Sequence, residues 1–358
     1  MLSIISLAAC GPGDQKSAQN AAFLALQSEG EAWVLPDGKA DAKKEASQGM
    51  LVFAADTIQT GKGSLDLQSR SGNALRIREN TTVTVESLVD QRGQAAVAVV
   101  LNLQQGSLFA RAQKGQQTDE FTVKTPTAVA SVRGTAFAVR YENGQPNVRV
   151  MEGSVAMQPR ISSLEKMSSE ALAKSPELQK LAELQRTEII VETQKEASLD
   201  AKVSQTLQAI NQELAEPGAG TAANLDLGDL SPESALEAKE MRRSAEDIMD
   251  EKTLVTVAAQ EFDQLRQSVE KGEFDPSLLA ELEGLRAEKR LEALQEIARM
   301  RMDAQANWQA DYSKMATVVL RDGQQVYGEI VNRTAETLTI RDKQGLHNIP
   351  LAAIKSIE

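Results

Sequence analysis

The chain has 358 residues, which is enough for two or three domains at about 100 to 200 residues each. Hydrophobic residues make up 41% of it and aromatic residues only 3%, so any cores must be mainly aliphatic. The formal net charge of -12 argues against a general nucleic-acid binder, because phosphate contacts require clustered lysine and arginine. One cysteine, Cys10, and one histidine, His347, are too few for a His-based triad or a Cys and His metal site. We therefore expect a protein that is not an enzyme and that uses no cofactor or metal ion.

The N-terminus is apolar up to Cys10. The stretch Leu7 to Cys10 is typical of a lipobox, in which the cysteine becomes the lipidated first residue of a bacterial lipoprotein. We predict a signal at residues 1–9, lipidation of Cys10 and a tether over residues 10–27. The alternative is a short apolar N-terminus with an ordinary free cysteine. No lysine or arginine precedes Cys10, whereas a complete signal has a basic start, so the predicted signal is truncated or begins further upstream.

Residues 28–158 have the pattern of many short strands separated by turns, which is typical of an all-β domain. Its most regular stretch runs from Phe121 to Val155, where apolar and polar residues alternate. This alternation predicts strands with one face in a core and the other in water. Asn143-Gly144 predicts a tight hairpin. The alternating apolar residues are Phe121, Val123, Phe137, Val139, Tyr141, Val148 and Val150.

The same stretch resembles the FecR domain, whose pattern is a strand ending in T-P, then G-T-x-F-x-V, a hairpin and V-x-V-x-E-G-x-V. Segments 56–67 and 106–109 resemble the opening and the middle strand of that family, so the resemblance covers about residues 28–158. The positions that carry the downstream pattern are Thr125, Pro126, Gly134, Thr135, Phe137, Val139, Val148, Val150, Glu152, Gly153 and Val155.

The resemblance also supplies candidate site residues. We expect them to maintain the fold rather than to contact a ligand. A Cβ atom would cost most at Gly134 and Gly153, because glycine is the residue that tolerates strained backbone. The candidates are Thr125, Pro126, Arg133, Gly134, Thr135 and Gly153.

After Arg160 the composition changes to leucine, alanine, glutamate, glutamine and lysine, which predicts a helical region over residues 159–316. Apolar stripes place helices at about 177–215 and 232–315, with a break near 217–231. A helical hairpin packed on itself and a coiled coil are both possible, and the hairpin is favoured because no heptad pattern lasts three or four repeats. The charged pair Glu246-Asp247 is expected on a solvated face.

Residues 317–358 return to strands and resemble the small five-stranded barrel of the Sm-like family. Leu320 to Gly323 and Tyr327 to Ile330 stand at that family's L-x-D-G and x-G-x-I elements. The resemblance implies RNA binding, but a basic and aromatic platform is missing from the sequence. We therefore expect a structural or protein-binding barrel.

Together these elements predict a multidomain α+β chain: an N-terminal all-β FecR-like domain, a central α-helical hairpin or coiled coil and a C-terminal small five-stranded β-barrel. The predicted function is a non-enzymatic, membrane-anchored envelope lipoprotein that binds an envelope protein or cell-wall partner, by strand addition at an exposed sheet edge. Gly11 after Cys10 favours the outer membrane over the inner membrane.

The alternative is an extracytoplasmic sensor of FecR type. The resemblance implies a protein that relays the occupancy of an outer-membrane transporter to a sigma factor. That role requires a cytoplasmic segment and a membrane-spanning helix before the β domain, and neither is visible in this sequence. A polysaccharide hydrolase would need paired carboxylates across a cleft, and the sequence gives no reason to pair Glu79, Glu86 and Glu152.

Overall fold

The protein is described here by a computed structural model. It divides into two compact units, Met1–Arg290 and Leu291–Glu358. Cys10 and the predicted break near 217–231 lie outside the described residues. The structure describes residues 21–89, 98–114, 120–172, 175–215, 235–312, 315–342 and 345–357.

The first unit is built on one large β-sheet, whose described part has 15 strands. In chain order they are β1 (Ala22–Leu35), β2 (Lys44–Glu45), β3 (Leu51–Phe53), β4 (Thr57–Ser69), β5 (Ala74–Ile77), β6 (Thr82–Val89), β7 (Ala98–Arg111), β8 (Glu120–Lys124), β9 (Ala128–Val132), β10 (Ala136–Glu142), β11 (Gln145–Glu152), β12 (Ser154–Pro159), β13 (Ile189–Glu192), β14 (Lys195–Leu199) and β15 (Leu236–Glu240).

The helices follow the first twelve strands in the chain. They are α1 (Ser169–Leu172), α2 (Pro176–Gln185), α3 (Ala201–Ala215), α4 (Ala245–Thr253), α5 (Ala259–Glu270) and α6 (Ala280–Tyr312). Among the described helices, none is both long enough and apolar enough to cross a membrane.

One path through the sheet runs β13-β12-β9-β8-β7-β10-β11-β14-β15, and β1 to β6 branch from it through β5 and β6, which both pair with β7. The described pairs are antiparallel except β7 with β8. β10 and β11 form the predicted hairpin, with Glu142 opposite Gln145. Asn143 and Gly144 have positive φ angles of 50° and 78°, as a tight hairpin turn of this kind requires.

Successive side chains of each strand point to opposite faces of the sheet. Leu65 and Leu67 of β4, with Leu75 and Ile77 of β5, are buried in the main core. We call the face that carries these residues the inner face and the opposite one the outer face. The FecR-like region is therefore all-β, as predicted, and its core is mainly aliphatic.

The region predicted to be helical is only partly so. α2 begins after Ser175, whose hydroxyl caps the helix by accepting a hydrogen bond from the Leu178 N–H. Between α2 and α3, however, the chain forms β13 and β14, because the β-branched run Ile189 to Val191 suits a strand better than a helix. The prediction of helix over the whole of 177–215 was thus wrong, and the predicted coiled coil is not confirmed.

α2 and α3 cover the main core with apolar side chains. Leu181 of α2 is buried there, as are Leu207 and Ile210 of α3. We call this packing the apolar contact. It explains the apolar stripes of both helices without a partner chain.

The outer face was predicted to lie in water, but the chain after β15 covers much of it. Phe109, on the outer face of β7, is buried with Met241 and Leu254, which flank α4. Phe262 of α5 is buried with Leu24 and Leu26 of β1. The alternation correctly predicted the strands, while the covering of their second face depends on residues more than 100 positions away.

The second unit contains five strands, β16 (Met315–Leu320), β17 (Gln325–Arg333), β18 (Thr337–Asp342), β19 (Gly345–Pro350) and β20 (Ile354–Ile357). They form an antiparallel sheet in the order β19-β18-β17-β16-β20. Gly328 lies where a Cβ atom would be 2.2 Å from the Arg341 carbonyl oxygen, so the two strands approach closely there. The five predicted strands are present, while the Sm-like barrel is not confirmed.

Candidate functional site

The outer face of the sheet carries arginines that contact the segment 242–254, which contains α4. These side chains alternate with core residues, so the pleat that buries the leucines directs the arginines to the opposite face. They include Arg76 of β5, Arg78 immediately after it, Arg111 of β7 and Arg149 of β11.

Arg76 makes the most complete set of these contacts. Its Nε and Nη2 donate to the two carboxylate oxygens of Asp66, each at 2.7 Å. Its Nη1 donates to Asp250 Oδ1 at 3.1 Å and to Thr253 Oγ1 at 2.7 Å. Burial alone would lower the pKa of Arg76, but the hydrogen bonds and charges of Asp66 and Asp250 outweigh it and raise that pKa. Arg76 thus joins β4, β5 and α4 through one guanidinium group.

Arg78 binds the same helix. Its Nε donates to Asp250 Oδ2 at 2.7 Å, and its Nη2 lies 2.6 Å from the same oxygen. Its Nη1 lies 3.0 Å from Glu246 Oε2. Asp66, Arg78 and Asp250 are all buried. We call the set Asp66, Arg76, Arg78 and Asp250 the ionic contact.

Both ends of α4 are also bound. Ser244 and Asp247 form a capping box, in which each side chain accepts a hydrogen bond from the other residue's N–H. Arg149 Nη2 donates to Asp247 Oδ2 at 2.6 Å. Arg111 donates to the carbonyl oxygens of Glu251 and Leu254 at the last turn. Asp247 is 1% exposed, so its expected place on a solvated face was wrong.

Beside the ionic contact lies a cleft of about 780 Å³. Residues of the sheet and its turns line one side of it, including Lys62, Arg76 and Arg78, and residues of α4 and α6 line the other, including Glu246 and Arg286. Cationic and acidic groups both face the space. This volume falls within the range of about 300 to 1,000 Å³ that is usual for small-molecule sites.

Arg286, in the first two turns of α6, is the least satisfied cation of the cleft. Its side chain is 10% exposed, and Nη2 lies 3.7 Å from Asp66 Oδ2, beyond hydrogen-bond distance. Within the described part of the chain, Nε and Nη2 have no hydrogen-bond partner. Burial lowers the pKa of Arg286; the charge of Asp66 opposes this effect and that of Arg76 adds to it. A buried guanidinium in this state is unusual, because such groups are normally paired.

The predicted motif residues lie elsewhere, at turns of the sheet. Thr125 is buried, and its hydroxyl accepts a hydrogen bond from the Ala128 N–H at 2.9 Å. The Pro126 carbonyl accepts one from Asn211 of α3 at 3.1 Å. The Thr135 hydroxyl donates to the Ser154 carbonyl at 2.9 Å, and Arg133 is exposed. These contacts join turns to neighbouring elements.

The two motif glycines have positive φ angles, 69° at Gly134 and 88° at Gly153. A Cβ atom on Gly134 would lie 2.8 Å from Lys114 Cβ, and one on Gly153 would lie 2.9 Å from the Gly134 carbonyl oxygen. None of the six motif residues is among the described residues that line the cleft. Their role as site residues stays a prediction, as does lipidation of Cys10.

Sequence reasoning missed the residues of the ionic contact and of the cleft. Arg76 stands between Leu75 and Ile77, and such a position is expected to face water when only the alternation is considered. The available signal was the repetition of arginine at outward positions of several strands, followed by the acidic segment 246–251. No group of three or more His, Cys, Asp or Glu side chains among the described residues is placed to bind a metal ion.

Comparison with known proteins identifies the class of the β domain. Residues 56–156 match the family model described as FecR protein, so this part of the chain, from β4 to β12, is a FecR family domain. No curated protein shows significant sequence similarity to the chain.

Two crystal structures of a candidate anti-sigma factor from Parabacteroides distasonis ATCC 8503 also align with it, each at 12% sequence identity and a TM-score of 0.28. The alignments cover 40% of this chain and 54% or 53% of the other. The chain therefore spans about half the length of these solved structures.

Proposed function

We propose that this protein is a non-enzymatic extracytoplasmic regulator of FecR type that responds to a ligand in the cleft. The FecR domain supports the regulatory class, since this family is regulatory rather than enzymatic. The observation that carries the proposal is the composition of the cleft: the FecR domain, together with β1, supplies one wall, and α4 and α6 supply the other.

The ionic contact gives this arrangement a means of response. Asp250 of α4 binds Arg76 and Arg78 of the FecR domain, and these pairs are desolvated. A ligand shifts a conformational equilibrium only if it binds one state better than the other. A molecule that contacts both walls of the cleft binds better when α4 lies against the sheet than when α4 has moved away. Such a molecule therefore stabilises α4 against the sheet.

Transcript profiling in the native host tests the regulatory role. Deletion of the gene is expected to change a limited set of transcripts, and the wild-type protein restores them. Asp250→Asn weakens the pairs with both arginines and is expected not to restore them at equal protein level. Glu270→Gln, which affects an exposed pair with Arg266 on α5, is the matched control and should restore them. Unchanged transcripts after deletion would refute the regulator.

A membrane-anchored scaffold is the second candidate. The apolar residues before Cys10 support lipidation at that position, with an envelope protein or cell-wall component as partner and the outer membrane as location. Strand addition is supported less well. β15 pairs only with β14 among the described strands, but it carries Glu237, Lys239 and Glu240, and charges of this kind oppose pairing at an edge.

Intact-mass analysis of the protein from its native membrane fraction tests the anchor. Cleavage before Cys10 with added acyl chains is the expected result, and Cys10→Ala should lose both the added mass and the membrane association. An unmodified and uncleaved wild-type chain would refute the anchor without affecting the test of regulation.

A further inference from the structure

We propose that the cleft binds a soluble small molecule through a carboxylate or phosphate group, and that Arg286 is the residue that binds this group. The inference rests on the proposed function, in which the cleft is the ligand site, and adds the chemical class of the ligand.

The first argument is the unsatisfied state of Arg286. An arginine presents Nε and one Nη on the same edge, which matches the two oxygens of a carboxylate or phosphate. In Arg76 this edge is occupied by Asp66, with two contacts of 2.7 Å. In Arg286 the Nε and Nη2 of the same edge have no hydrogen-bond partner among the described residues. This edge of Arg286 is therefore unused within the described part of the chain, and an anion from outside the chain can take it if Arg286 turns the edge towards the cleft.

The second argument concerns the nearest acid. Asp66 directs both oxygens to Arg76, and its Oδ2 lies 3.7 Å from Arg286 Nη2. Asp66 therefore lies close enough to compensate part of the charge of Arg286 but accepts no hydrogen bond from it. Leaving a buried charged donor unpaired costs free energy, and an added oxyanion recovers that cost.

The rest of the lining indicates what else the ligand carries. Gln27 also lines the cleft; its Nε2 donates to Glu29, while its Oε1 is buried with no donor to it in the described part of the chain. Glu29 and Glu79 line the cleft and are exposed. Acceptors in these positions match hydroxyl or amino groups. The expected ligand is a small organic acid or phosphate ester that also has such donors.

The depth of Arg286 argues for a soluble ligand rather than a lipid headgroup. Its side chain is only 10% exposed, and both unpartnered nitrogens are covered by neighbouring atoms. A free molecule can enter the cleft, and binding then requires Arg286 to turn this edge towards it. A phosphate fixed at a bilayer surface cannot reach the same depth without separating α6 from the sheet.

Calorimetric titration of the full chain with citrate and with inorganic phosphate tests the proposal, at constant ionic strength set with chloride. We expect saturable binding to the wild type. Arg286→Met should weaken it about tenfold or more, because the charged hydrogen bonds are lost. Arg286→Lys keeps the charge but not the planar edge, so it should also bind more weakly. Arg266→Met, which removes the same charge outside the cleft, should bind within about twofold of the wild type.

Thermal unfolding without added anion distinguishes a binding role from a structural one. Arg286→Met should be at least as stable as the wild type, because it removes a buried donor that has no partner. Citrate should raise the unfolding temperature of the wild type and not that of Arg286→Met. A large loss of stability in both Arg286 variants without anion would mean that Arg286 is structural, and would overturn the proposal.

Three other results would also overturn it. The first is the absence of saturable binding of either anion at millimolar concentration, and the second is equal binding by the wild type and Arg286→Met. The third is Arg286-dependent binding that occurs only with vesicles containing phosphatidylglycerol and not with free anions. In all these cases a transcript response to gene deletion would still support the regulator, so the two proposals fail separately.

Discussion

Two helical layers cover the large sheet of this protein, and they contact it by different means. In the apolar contact, α2 and α3 bury leucine and isoleucine in the main core. In the ionic contact, α4 presents Asp250 to Arg76 and Arg78 on the outer face. Apolar burial stabilises in proportion to area and tolerates small shifts, whereas a desolvated ion pair is favourable only when its geometry and partners are complete.

The difference indicates which layer is suited to a response. Removing the apolar contact would expose core leucines, so α2 and α3 belong to the body of the domain. The ionic contact adjoins the cleft and the unsatisfied Arg286, so a new anion there changes the set of charges that α4 and the sheet share. We therefore expect motion at α4 before motion at α2 and α3.

The strongest test of the ionic contact is Asp250→Ala. It leaves Arg78 without a buried partner carboxylate and removes one of the two carboxylates that Arg76 binds, which is expected to cost about 3 to 5 kcal/mol. Urea unfolding measures this loss. The control is Glu270→Ala on α5, which removes an i,i+4 pair and should cost about 0.3 to 0.5 kcal/mol. A cost for Asp250→Ala as small as that of the control would mean that the ionic contact does not stabilise the fold.

The matching test of the apolar contact is Leu207→Ala in α3. Leu207 is fully buried, and removal of such a side chain is expected to cost about 2 to 5 kcal/mol. The same urea unfolding applies, with the half-exposed Leu278→Ala as the control. Citrate binding should be unchanged in Leu207→Ala; weaker binding there would contradict the assignment of the response to α4 alone.

Ser244→Ala probes α4 without touching its arginines. It removes the hydroxyl that accepts a hydrogen bond from the Asp247 N–H, so α4 should lose about 1 kcal/mol of stability. This loss should appear as faster hydrogen exchange within α4, measured by mass spectrometry of peptides. Exchange in α3 should stay at the wild-type rate, and equal acceleration in both helices would show that the two layers open together.

Asp56→Asn provides a contrast with the paired carboxylates. Asp56 is buried and accepts hydrogen bonds from the Phe53 and Asp37 N–H groups. Burial raises its pKa, and the two hydrogen bonds oppose this effect. The folded state therefore binds the Asp56 proton more tightly than the unfolded state does. The stabilisation that comes from protonated Asp56 is lost as pH rises through the raised pKa. Wild-type stability should fall relative to the variant over that range in urea unfolding.

For Asp275→Asn, the stability of the wild type relative to the variant should change with pH in the opposite direction. The Ser277 N–H lowers the pKa of Asp275, so its contribution to stability is present above the unfolded pKa and is lost as pH falls through the folded pKa. Asparagine keeps the helix cap, so the cap itself is little affected. If wild-type stability relative to both variants changed with pH in the same direction, the environments assigned to Asp56 and Asp275 would be contradicted.

Much of the fold follows from local sequence patterns. Period-two alternation predicts the strands around Phe137 and Val148, and Asn143-Gly144 predicts the hairpin between them. Ser175 and Asp275, each followed by proline at the first helical position, also cap helical turns, and this is a local pattern. The strands β13 and β14 at 189–199 were missed because helix-forming residues on both sides obscured a short β-branched run.

The candidate site could not be predicted in the same way. The pairing of Arg76 with Asp250 joins residues 174 positions apart, and no periodicity specifies which outward charge meets which acid. The unsatisfied state of Arg286 is a property of packing, since the residue types of α6 are those of any exposed helix. These features require the three-dimensional arrangement.

One contact outside both layers offers a direct way to observe the outer cover. The Gln68 side chain on β4 donates to the Val257 carbonyl and accepts from the Val257 N–H, each at 2.8 Å, so a side-chain amide takes the place of a strand neighbour. The Val257 amide proton can exchange with deuterium only when this single pair separates. Its exchange rate therefore counts the openings of the segment between α4 and α5, independently of global unfolding.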